Sequence, residues 1–84
     1  DRVSGWTTKI ALAEVRAAQG RDAESEPLFR EALEGLAMFG FRSAERQSLE
    51  NAIEFFQARG RDEDVAVYEA RRAELLPSNT APIA

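Results

Sequence analysis

Residues 18–23 read AQGRDA and residues 58–63 read ARGRDE, so Ala-x-Gly-Arg-Asp stands twice in the chain, forty positions apart. Gly20 and Gly60 each follow the last residue of an apolar helical pattern, where a left-handed residue is needed and glycine adopts it without steric cost. Asp22 and Asp62 each precede the next such pattern. As N-caps, their carboxylates would accept hydrogen bonds from unpaired helix N–H groups and complement the helix dipole. Arg21 and Arg61 need only tolerate the turn, with their side chains in water. The motif therefore reads as a stop and a start, a tight helix hairpin written twice. A phosphate site at the helix starts is the sharper alternative, and the aspartates count against it by repelling the anion. Glu14 matches Glu54 and Ala18 matches Ala58 at the same offset. Repetition of a helix pair at this period marks an α-solenoid. A hairpin of this kind buries one face only, so further repeats or a second chain must cover what two hairpins leave bare.

Outward from the turns, Trp6, Ile10, Ala13 and Ala17 recur at helical spacing, widened by Leu12 and Val15, and predict a helix over 6–19. Phe29, Ala32, Leu33, Leu36 and Ala37 predict a second over 23–39, stopped by Gly40, where a Schellman turn would bring Leu36 to Phe41. Ser43 is the expected cap of a third helix running to Arg59, with Glu45 in its first turn and Leu49, Ala52, Ile53 and Phe56 as its buried stripe. A fourth carries Val65, Tyr68 and Leu75 and ends at Pro77. The expected architecture is all-α: a lead over 1–5, antiparallel hairpins over 6–39 and 43–76, and a loose tail over 77–84.

Composition narrows the function. The 44% hydrophobic and 31% charged content suits a folded helical chain, and no apolar run reaches the roughly 20 residues of a membrane span. With no cysteine and no histidine, disulfides, thiolate metal sites and the commonest general base are gone. A net charge of -4, with ten arginines and Lys9 scattered among glutamates, leaves no basic face for nucleic acid. The arginine and alanine bias fits a GC-rich bacterial genome. The chain begins at Asp1 without a signal-peptide pattern, so a piece of a larger cytoplasmic protein is expected.

The stretch LAEVRAAQGRDAESEPLFREAL, residues 12–33, resembles the tetratricopeptide repeats, within them the kinesin light chain type found in bacterial signalling proteins. Leu12, Ala13, Gly20, Ser25, Phe29 and Ala32 fall where that family places its large-small pair, turn glycine, small residue, aromatic and small residue. Pro27 early in the second helix is a habit of the same family. The second copy, LENAIEFFQARGRDEDVAVYEA, residues 49–70, keeps Leu49, Asn51, Phe56 and Gly60. Arg16, Ile53, Glu69 and Arg72 depart from the pattern. So does the linker AMFGFRS, and the last helix looks like a terminal one facing solvent.

The resemblance implies a short superhelix of stacked hairpins whose concave face, lined by the first helix of each, holds an extended peptide or a partner helix. By position that face is Thr7, Ile10, Ala11, Glu14 and Ala17 with Gln47, Glu50, Asn51, Glu54 and Gln57. Asn51 stands where the family places an asparagine that bonds a peptide backbone. Glu14, Glu50 and Glu54 make the groove acidic, which predicts a basic or neutral partner segment and salt-sensitive association. Glu50 and Glu54 lie one turn apart, yet no nucleophile or oxyanion site accompanies them, so no catalysis and no cofactor are expected. The alternative role is self-association, a homodimer built on Trp6, Phe39, Phe41 and Phe55 as apolar end-face residues.

Overall fold

A computed structural model describes residues 2–76, and the expected tail over 77–84 lies outside them. Four helices follow in order: α1 (Arg2–Ala18), α2 (Asp22–Met38), α3 (Arg42–Ala58) and α4 (Asp62–Leu75). The lead over 2–5 is thus already the first turn of α1.

Gly20, Gly40 and Gly60 are left-handed, with φ of 76°, 75° and 67°. At each, two backbone bonds close a Schellman turn: Gly20 and Arg21 N–H donate to Ala17 and Arg16, Gly40 and Phe41 to Ala37 and Leu36, and Gly60 and Arg61 to Gln57 and Phe56. The junction over 37–43, a departure in sequence, is the same turn. These turns are so tight that the residue after glycine serves both helices. The carbonyls of Arg21, Phe41 and Arg61 accept the first bonds of α2, α3 and α4, and none of the three caps with its side chain. Asp22 and Asp62 are therefore the first helical residues and not N-caps, and Ser43 lies inside α3. The cap shifts by one residue at Asp22 and Asp62 and by two at Ser43, because each Schellman turn uses the backbone of the residue after its glycine, Arg21, Phe41 or Arg61, as the cap.

The hairpins α1/α2 and α3/α4 pack antiparallel, and α3 lies against both helices of the first hairpin. The core is Ile10, Ala13, Phe29, Ala32, Leu33, Leu36, Leu49, Ala52, Ile53, Phe55, Phe56 and Leu75. Small residues let the backbones approach: Ala13, Ala32 and Ala52 have no exposed surface, and the buried Ser25 hydroxyl donates to the Ala13 carbonyl at 2.7 Å, tying α2 to α1. An aromatic chain joins the hairpins. Phe29 of α2 meets Phe55 at 4.9 Å and Phe56 at 6.5 Å between ring centroids, and Phe56 stacks on Tyr68 at 5.6 Å. Phe55, expected at an end face, is thereby buried between the hairpins.

Gly35, in the last turn of α2, answers a different need. The Trp6 indole lies flat against it, and a Cβ there would stand 2.3 Å from Trp6 Cε2. The Phe39 ring, one turn on from Gly35, stacks with the indole at 6.4 Å between centroids, and the indole Nε1 is buried with no hydrogen-bond partner among the described residues. Alanine would add about 1 kcal/mol of helix propensity while driving the ring outward, which forfeits its packing and rewets Nε1. The packing loss is larger, so Gly35→Ala should destabilise by about 1–2 kcal/mol. In a Trp6→Leu background the same substitution should become neutral or stabilising in denaturant titrations. Equal losses in both backgrounds would show that Trp6 is not the cause.

Candidate functional site

α1 and α3 run side by side along one face of the stack. Between them lies a depression of about 290 Å³ lined by Glu14 and Ala17 of α1, Asn51, Glu54, Phe55 and Ala58 of α3, with Arg59 at its end and Phe29 beneath. Phe29, Phe55 and the two alanines give it an apolar floor. Glu14, Asn51 and Glu54 stand on its walls, and their side chains have no hydrogen-bond or ion-pair partner among the described residues.

Four residues of the expected concave face, Glu14, Ala17, Asn51 and Glu54, thus converge. The others divide. Gln47, Glu50 and Gln57 are exposed on α3 outside the depression. Thr7 is exposed and donates its hydroxyl to the Val3 and Ser4 carbonyls of its own helix. Ala11 is exposed beside them. Ile10 does not belong to the groove: it is 4% exposed, inside the core. Its place in the apolar stripe with Trp6 and Ala13 overrides its position in the family pattern, because one side chain cannot face both the hairpin interior and the groove.

Arg59 is the site residue that sequence reasoning left as a helix end. Its guanidinium lies 4.0 Å above the Phe55 ring and grips the Asp22 carboxylate with two bonds of 2.8 and 2.9 Å. The i,i+4 spacing of Phe55 and Arg59 was the available signal. Asp22, on another helix, was not. The bond pins the start of α2 to the end of α3 and closes one end of the groove. Arg61 makes a second clamp, with bonds of 2.8 and 2.9 Å to Glu26, and Glu26 also holds Arg30. Arg61 is therefore not an idle turn residue.

These clamps carry a pH dependence. Hydrogen bonds from Arg61, against opposing desolvation and aided by Arg30, hold the Glu26 carboxyl at about 2, below its ordinary 4.5. The bond from Arg59 likewise lowers Asp22. A carboxylate whose folded value is depressed stabilises the fold above its unfolded value, and that contribution disappears as pH falls toward the folded one. Stability should therefore drop between about pH 4.5 and 2, and Glu26→Gln should flatten the fall in that window. Chemical denaturation across the pH range measures it. A variant as acid-sensitive as the parent would show that the clamp adds nothing.

Among the described residues no cluster of three or more carboxylates converges as a metal site, and no helix is long and apolar enough to cross a membrane. No family model, no curated protein and no solved structure matches this chain.

Proposed function

We propose that this chain is a non-catalytic protein-interaction module of tetratricopeptide type that binds an extended peptide or helical segment carrying a basic residue in the groove between α1 and α3. The observation that carries this reading is the convergence of Glu14, Asn51 and Glu54, unpaired, over an apolar floor. Two uncompensated carboxylates select for lysine or arginine. The Asn51 amide offers one donor group and one acceptor to a peptide backbone, and Phe55 with Ala17 and Ala58 gives room to a small apolar side chain. The clamp of Arg59 on Asp22 fixes the groove before binding, which reduces the ordering entropy of association.

Selection from a display library of random short peptides tests this. Retained sequences should be enriched in a basic residue next to small apolar ones, and their affinity should fall with added salt. Glu14→Gln with Glu54→Gln should weaken binding by about 5–30-fold, two exposed charge contacts of up to about 1 kcal/mol each. Peptides that bind this variant and Asn51→Ala as well as the parent would place recognition elsewhere.

A further inference from the structure

At an offset of forty, α1 and α3 are equivalent helices, and α3 shows what one face of such a helix is for. Phe55 packs on Phe29 and Arg59 holds Asp22, both on the preceding hairpin. Ala52 and Ser48, one and two turns before Phe55 on the same stripe, are buried. The equivalents on α1 are Thr8, Leu12, Val15 and Gln19, and all four are exposed, Leu12 by 38% and Val15 by 49%. Leu12 is larger than the Ala52 it corresponds to, and Val15 keeps an apolar side chain where Phe55 is. A stripe with the spacing and apolar character of an internal contact therefore faces solvent.

The opposite end of the stack differs. Phe29 and Leu33, which receive α3, correspond to Glu69 and Ala73 of α4, both exposed, and Glu26 corresponds to Ala66. Another hairpin stacked there would bury the Glu69 carboxylate without a partner. A second copy joined head to tail meets the same obstacle, since Glu69 would be pressed against Val15. That excludes an open filament of identical chains.

We propose that the Thr8/Leu12/Val15/Gln19 face of α1 docks a further helical hairpin, stacked on the side away from α3, whose second helix presents an aromatic ridge flanked by small residues and a carboxylate one turn from its start. The aromatic is required because Val15 occupies the position that meets Phe29 in the internal contact. The carboxylate follows from Arg21, exposed at the edge of the stripe and paired with Glu24, because its equivalent Arg61 pairs in the same way with Asp64 and still holds Glu26 of the neighbouring hairpin. The array is thus open at the α1 end and closed at the α4 end. This surface is separate from the α1/α3 groove, and its failure leaves the peptide-binding reading untouched.

The first hairpin carries the required face, so it serves as the probe. A chain in which a copy of residues 1–40 is fused ahead of Asp1 keeps the forty-residue register and lays a second Phe29 beside Val15. It should unfold in a single transition, with a midpoint about 5–10 °C above the parent, as nearest-neighbour stacking requires. Leu12→Glu with Val15→Glu, placed in the second copy only, should abolish the gain. In the parent the same pair should leave the midpoint within about 2 °C, because exposed substitutions cost little. A fusion that unfolds with the parent's midpoint, or in two separate steps, overturns the proposal. So does a parent chain that forms a dimer which Leu12→Glu and Val15→Glu dissociate, since the face would then belong to a second copy.

Discussion

Phe29→Ala should lower stability by about 3–5 kcal/mol, the range for removing a buried phenylalanine, against about 4–12 kcal/mol expected in total for a chain of this size. Phe29 is 1% exposed, and its ring is the contact through which α2 reaches both Phe55 and Phe56. The cavity would open between the hairpins rather than within one. Each hairpin keeps its own turns, but the apolar surface that makes them one cooperative unit is lost. The expected observation is a large drop in the midpoint of thermal unfolding together with a broadened transition. Val67→Ala, at a residue 64% exposed, should change stability by less than about 0.5 kcal/mol. If Phe29→Ala behaved like Val67→Ala, the hairpins would have to be held together by something other than this aromatic contact.

Arg71→Ala should cost about 2–3 kcal/mol, for a different reason. Glu45 is 2% exposed, and its carboxylate is held by Arg71 through bonds of 2.6 and 3.0 Å. Removing one partner of a buried pair strands the other charge in a low-dielectric site, a loss of about 3–5 kcal/mol when neither is wetted. The Arg71 side chain is 39% exposed, so water admitted by its removal reduces the penalty. The diagnostic is the double variant. Glu45→Gln with Arg71→Ala should be more stable than Arg71→Ala alone, because the stranded charge is gone. A double variant that loses as much as the sum of the singles would argue that Arg71 acts through packing of its stem.

Glu45 also shows where sequence reasoning stops. Its place in the first turn of α3 pointed to the helix dipole, a local effect legible in one dimension. Its burial against Arg71, twenty-six residues on, depends on how α4 lies across α3. Asp22 with Arg59 and Glu26 with Arg61 are of the same kind, since each pair joins side chains more than thirty residues apart. Spacing along the chain does not encode such partners, because register between helices is set by which side chains interlock. That Glu14 and Glu54 face one depression follows from their match at the forty-residue offset on equivalent helices, whereas Asn51 was placed there through the family resemblance, its own equivalent being Ala11. Ile10 was misplaced because the family position was given weight over its own apolar stripe.

The sequence by itself determined four helices, the glycine stops between them and the antiparallel hairpins. Periodicity and left-handed glycines act over a few residues and leave little for distant contacts to change. Tertiary structure decided which glutamates are clamped and which stand free, why Gly35 must lack a side chain beneath Trp6, and which end of the array is apolar. Those outcomes depend on the packing of one hairpin upon another, where a side chain's surroundings come from residues far along the chain.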